Sequence, residues 1–186
     1  RQQVSDLLAR KGFVSQTSCG ICGKEVIRDM QQILSPVSGR SMVKPERIME
    51  CVDMLASFQT IYRRTRSSHA AMIFDRQLRP MASAEDVGRH NALDKAIGKV
   101  FILGQIKNAC LGIMSSRLSY ELVQKAARAG LEILVGISRP TALAVELARS
   151  VSMTLACAKD GKLMVFCGDR RIIPPETTDE PPADNL

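Results

Sequence analysis

Apolar residues recur along the middle of the chain in two alternating rhythms. Ile48, Cys51, Val52, Leu55 and Phe58 are spaced three and four apart, which predicts a helix over 45–62 with Pro45 suited to its first turn. Short apolar runs at 70–74, 109–114 and 131–137 read as strands. Helical spacings fill 91–103 (Leu93, Ala96, Ile97 and Val100 inward), 120–129 and 141–151, and Gly130 closes the second of these. Residues 154–158 and 163–167 flank Lys159-Asp160-Gly161-Lys162, where Asp-Gly signals a tight hairpin turn. Strand–helix alternation implies an α/β fold, with helices packed on a mainly parallel sheet to which the last hairpin adds an antiparallel element.

The two ends follow other patterns. Val4, Leu7 and Leu8 suggest a short helix within 1–11, residues 15–24 read as a loop, and Pro36 and Gly39 break the stretch 25–43. The expected organisation is an N-terminal segment over 1–43, a core domain over 44–173 and an acidic, Pro-rich, disordered tail over 174–186.

Composition narrows the class. Of 186 residues, 45% are apolar and 24% charged, which excludes a mainly disordered chain. No apolar run reaches the length of a membrane span, and Arg1-Gln2-Gln3 opens no secretory signal, so a cytoplasmic location is expected. The net charge is +7, but the tail holds four acids and no base, so residues 1–173 carry 26 basic against 15 acidic residues. Such a body favours an anionic partner. With 4% aromatics and no Trp it lacks stacking platforms, so nucleic acid is disfavoured against a small phosphate-bearing ligand. Four of six cysteines (Cys51, Cys110, Cys157 and Cys167) sit in apolar runs as small hydrophobes, consistent with a reducing compartment.

Cys19 and Cys22 differ, lying in the Gly-rich stretch Thr17-Ser18-Cys19-Gly20-Ile21-Cys22-Gly23-Lys24. The spacing allows a dithiol redox pair, half a zinc site, a sulfur-carrying thiol activated by Lys24, or two incidental cysteines. A redox pair wants a preceding strand, which 14–18 does not resemble; zinc wants two further ligands, and only His69 and His90 are available. A second constellation runs from Glu85 to Lys95, with Asn91 as a candidate N-cap and Arg89 and His90 beside the positive end of a helix. Taken alone, it could equally be a capped surface helix. Ser115-Ser116-Arg117 and Ser138-Arg139-Pro140-Thr141 form two further strand-to-helix junctions, and such junctions converge on ligands at the carboxyl edge of a parallel sheet. They should share one edge, closed by the turn at 86–91 with Arg89 or His90 directed into the cleft and bordered by the turn at 159–162. His69 leads a strand, but Ala71 stands where a zinc deaminase carries glutamate, so deaminase chemistry is not expected.

The runs S-C-G-I-C-G (18–23), H-A-A (69–71), E-D-V-G-R-H-N-A-L-D-K (85–95), S-S-R-L-S-Y-E-L-V-Q-K-A-A-R-A-G (115–130) and T-A-L-A-V-E-L-A (141–148) resemble the FdhD family of formate dehydrogenase accessory sulfurtransferases. The resemblance implies a cytidine-deaminase-like three-layer α/β/α sandwich without deaminase activity. It also implies a sulfur carrier that takes persulfide sulfur from a cysteine desulfurase and passes it to the molybdenum bis-(molybdopterin guanine dinucleotide) cofactor of formate dehydrogenase. Cys19 would hold the persulfide and Cys22 would assist. The guanine-nucleotide-bearing cofactor, a bound substrate, would meet Ala158, Lys159, Asp160, Gly161 and Lys162, with His69, Arg89, His90, Ser115, Ser116, Arg117 and Ser138 as further candidates. A homodimer is implied, and no metal ligands of the protein's own. The family has glycine where this chain has Arg66. Two other classes stand beside this expectation: a non-catalytic chaperone for the cofactor, and a zinc-binding structural protein.

Overall fold

In the computed structural model residues 34–39 and 41–174 are described, and those from Pro36 onward belong to one unit. The expected helix within 1–11, the Cys19–Cys22 loop and the acidic tail beyond residue 174 lie outside the described residues.

Six strands form one mixed sheet in the order β2-β1-β3-β4-β5-β6: β1 (His69–Asp75), β2 (Pro80–Asp86), β3 (Ala109–Arg117), β4 (Ile133–Ser138), β5 (Thr154–Lys159) and β6 (Lys162–Cys167). Only β3/β4 and β4/β5 pair in parallel; β1/β2, β1/β3 and β5/β6 are antiparallel. The sheet is thus partly parallel rather than mainly so. The departure comes from β2, which alternation of apolar runs does not announce: Pro-Met-Ala-Ser-Ala-Glu-Asp lies at the sheet edge with only Ala84 buried. Inserting β2 after β1 makes 69–86 a hairpin, so the chain returns to β3 from the other direction.

The central strands read as continuous apolar runs because both their faces are covered. On one face Ala70, Met72 and Phe74 of β1, Leu111 and Ile113 of β3, Ile133 and Val135 of β4 and Ala156 and Ala158 of β5 pack against Ile48, Cys51, Val52 and Leu55 of helix α1 (Pro45–Phe58). The alternate residues Ala71, Ile73, Met114, Leu134, Leu155 and Cys157 are buried on the other face. That side belongs to α3 (Arg89–Ile102), α4 (Tyr120–Arg128) and α5 (Ala142–Ser150), each with its own buried apolar stripe. Gly130 ends α4 as expected: at φ 78° it lets its own N–H and that of Leu131 reach the carbonyls of Ala127 and Ala126. Asp160 (φ 52°) and Gly161 (φ 72°) make the two-residue turn of the β5–β6 hairpin.

The helix expected over 45–62 is two helices. α1 stops at Phe58, leaving that side chain exposed rather than on the apolar face, and α2 (Thr60–Thr65) begins after Gln59 turns the chain. The break has a tertiary cause. The Glu85 carboxylate accepts hydrogen bonds from the N–H groups of Ile61 (2.8 Å) and Tyr62 (2.9 Å) and from the Thr60 hydroxyl, capping a new helix start.

The two ends of the unit are clasped together at the opposite side of the sheet from the strand ends discussed below. Val43 bridges Ile172 in parallel, and Val37 donates to the Val151 carbonyl. Arg171, 2% exposed, donates to the carbonyls of Ser152, Val37 and Gly39 and faces Glu132, which is fully buried. Glu132 also meets Arg76 at 3.3 Å and accepts from the Ser41 N–H at 2.9 Å.

Candidate functional site

The strand directions decide where the candidate residues meet. β2 runs the same way as β3, β4 and β5, since it is antiparallel to β1 and β1 to β3. Its end therefore lies on the same sheet edge as theirs, beside the starts of β1 and β6. The register gives the order along this edge: Asp86 opposite His69, Ala71 opposite Met114, Arg117 opposite Ser138, Lys159 opposite Lys162. At roughly 4.8 Å per strand, β1 to β5 spans about 15 Å, a reach suited to a nucleotide-sized ligand. His69, Ser115, Ser116, Arg117, Ser138 and the Ala158-Lys159-Asp160-Gly161-Lys162 turn thus share one edge; the sequence predicts this for 115–117, 138 and the 159–162 turn, whereas His69 at the start of β1 joins them because β1 runs antiparallel to β3. Arg117, Ser138 and Lys159–Lys162 are exposed there.

The junctions are tied to one another. A break in register follows Met114, and the Ser115 hydroxyl accepts from the Ala70 N–H at 2.7 Å, in place of a backbone carbonyl. Thr141 caps α5 by accepting from the Ala144 N–H, while its own N–H donates to the Leu118 carbonyl. Gly136 lets the strand ends close: a Cβ there would lie 2.8 Å from the Ser116 carbonyl oxygen and 3.1 Å from that of Ser138. Ser116 is buried and its hydroxyl donates to the Arg117 carbonyl, so it shapes the loop rather than facing a ligand.

The 85–95 string resolves into separate duties. Glu85 caps α2 and also accepts from the Ser68 hydroxyl at 3.0 Å. Burial works against its carboxylate, but the donated hydrogen bonds of Ile61, Tyr62, Ser68 and Thr60 outweigh it and hold the pKa below the ordinary value. Asp86 is bonded by Lys95, the Gly88 N–H and Asn91, and the Lys95 contact leads in lowering its pKa to about 2. Asn91 is not the N-cap. Gly88 occupies that position, Arg89 starts α3, and Asn91 spends its side chain on Asp86. Asp94 bridges to Lys125 of α4 at 2.7 Å. Arg89 and His90 remain. His90 Nε2 lies 3.2 Å from Ser119 Oγ and 3.8 Å from Glu121, placing it at the β3–α4 junction. Partial burial, then the charge of Arg89, pushes the His90 pKa below its ordinary value and favours the neutral ring. Arg89 Nε and the Tyr120 hydroxyl are buried with no hydrogen-bond partner among the described residues.

A cavity of about 390 Å³ opens at this edge, lined by Gln59, Tyr62, Arg66, Ser67, Ser68, His69, Ser115 and Ile137. Sequence reasoning found His69 and Ser115 but missed Gln59, Tyr62 and Arg66. Thr60–Tyr62 reads as the end of a long helix, and only the break at Gln59, with α2 running on to Thr65, brings Tyr62 and Arg66 to the cleft. Burial pushes Cys51 up to about 11 and also raises Cys110 and Cys167. No group of three His, Cys, Asp or Glu side chains is placed to hold a metal ion among the described residues. Nor is any described helix long and apolar enough to cross a membrane.

The model of the FdhD/NarQ family matches residues 2–173. The chain is 38% identical over 146 residues to the sulfur carrier protein FdhD of Bordetella bronchiseptica, covering 78% of this chain and 53% of that protein. It is 36% identical over 175 residues to that of Anaeromyxobacter dehalogenans (89% and 61%) and 33% identical over 159 residues to that of Thermoplasma acidophilum (85% and 56%). The chain thus spans between half and two thirds of the length of these curated relatives. A crystal structure from Desulfotalea psychrophila, of a proposed formate dehydrogenase accessory protein, superposes with a TM-score of 0.69 at 25% identity, covering 81% of this chain and 63% of that one.

Proposed function

The chain belongs to the FdhD/NarQ family, and on that premise we propose that it is a sulfur carrier for the maturation of a formate dehydrogenase. In this reading the Cys19 thiolate attacks the persulfide of a cysteine desulfurase, taking the outer sulfur and releasing the desulfurase thiolate. The outer sulfur of the resulting Cys19 persulfide then passes at the sulfide level to the molybdenum bis-(molybdopterin guanine dinucleotide) group, a substrate of the protein: Cys22 assists by attacking the inner sulfur, the persulfide S–S bond breaks, and the two thiols give up two electrons in closing a Cys19–Cys22 disulfide. The guanine-nucleotide part would lie along the sheet edge, against His69, Ser115, Arg117, Ser138 and the 158–162 turn. Arg89 would face its phosphates, and His90 beside it would accept or return a proton. The protein would work in the cytoplasm as a homodimer.

The observation that carries the cleft is the convergence of five sequence-distant segments, rich in Ser, Arg and Lys, on one sheet edge. Burial raises the pKa of Cys51, Cys110 and Cys167 and so disfavours their thiolates, which supports Cys19 and Cys22 over these three as the seat of the sulfur chemistry. The test is mass spectrometry after incubation with a cysteine desulfurase and cysteine. One added sulfur on the Cys19 peptide is expected. Cys19→Ala should abolish transfer while leaving the thermal midpoint unchanged. Full transfer by that variant would refute the carrier. Cofactor binding without any sulfur gain would favour the chaperone instead.

A further inference from the structure

We propose that Arg66 and Tyr62 form an anion clamp at the mouth of the 390 Å³ cavity, holding a phosphate or pyrophosphate group of its ligand. Arg66 ends α2 in the left-handed conformation, φ 54° and ψ 18°, with its N–H on the Tyr62 carbonyl at 2.8 Å. Glycine adopts this conformation freely, and a Cβ disfavours it. An arginine is held there all the same, its guanidinium 5.4 Å from the centre of the Tyr62 ring. That contact orients the planar fork. The charge is not neutralised within the fold: no carboxylate pairs with Arg66 among the described residues, and none lines the cavity. Glu85, which is bonded to Tyr62 and Ser68 of the lining, already accepts from four donors. Of the other lining hydroxyls, Ser67 and Ser68 donate to the Thr65 carbonyl and to Glu85, which leaves Ser115. The Ser115 oxygen accepts from Ala70, leaving its own hydrogen free to donate, and His69 stands beside it. A backbone held against its preference, an uncompensated cation and a lining without acids together fit a bidentate contact to a phosphate.

The clamp uses the cleft of the sulfur-transfer reading and none of its sulfur chemistry. Calorimetry with inorganic pyrophosphate, and separately with GDP, tests it on the full chain and on Arg66→Gly and Arg66→Asn, both of which accept the left-handed backbone. The parent should bind pyrophosphate, and each variant about tenfold more weakly. Their thermal midpoints should equal or exceed the parent's, because the strain is relieved. Unchanged pyrophosphate affinity in the variants, or no binding to the parent at millimolar pyrophosphate, overturns the clamp. A parent that binds pyrophosphate through Arg66 but gains nothing from the guanosine of GDP keeps the clamp and removes the guanine-bearing substrate.

Discussion

At position 39 a hydrogen atom sits where no side chain could. A Cβ there would lie 1.7 Å from the carboxyl carbon of Glu132, itself fully buried between Arg171 and Arg76. Displacing that carboxylate would strand the guanidinium of Arg171 in the interior. Gly39→Ala should therefore cost about 3 kcal/mol, read from the midpoint of urea unfolding at constant slope. In the sequence Gly39 is only a helix breaker, because Glu132 and Arg171 are far away along the chain and neither advertises its burial. The same limit applies to Asn91. A good capping residue at the head of a helix was legible, but Asp86 claims its amide and shifts the helix start to Arg89.

Among the elements, α2 depends on a single carboxylate from another strand. Six residues cannot hold a helix in water without such help. Glu85→Gln should weaken the cap by about 1 kcal/mol and speed hydrogen exchange at Ile61 and Tyr62 while sparing β3 and β4. Acid should do the same in the parent. The folded pKa of Glu85 lies below its ordinary value, so its stabilisation is complete above the unfolded pKa and lost as pH falls through the folded one. Faster exchange of those two amides on acidification, absent in Glu85→Gln, is the expected signature after correction for intrinsic rates. Periodicity found β1, β3, β4, β5 and four of the five helices, because each carries a stripe or run of buried apolar residues, and the Asp-Gly turn announced β6, none of whose residues is buried. It missed β2, whose half-exposed face lacks that run, and it fused α1 with α2, because the break comes from Glu85 and not from a Gly or Pro.

For the whole molecule, the candidate edge was legible even though the sheet was read as too parallel. Strand-to-helix junctions identify the carboxyl ends of β3 and β4 without knowledge of the order of strands. The β1–β2 hairpin then adds two reversals, which cancel, and returns Asp86 and Arg89 to the same edge. Arg66 and Tyr62 were not legible, since their approach depends on the hairpin and on the α2 break together. The clasp between 37–43 and 168–173 has a kinetic consequence. It closes a loop of about 130 residues, the longest closure among the described residues, and so carries the largest entropy of ring formation among them. In a folding trajectory it would zip after the sheet has condensed, and in the native state it would be the first contact to unzip. Native-state exchange should then find the amides of Val43 and Ile173 opening by a low-energy local fluctuation, while those of Ile113 and Val135 wait for the whole chain to come apart.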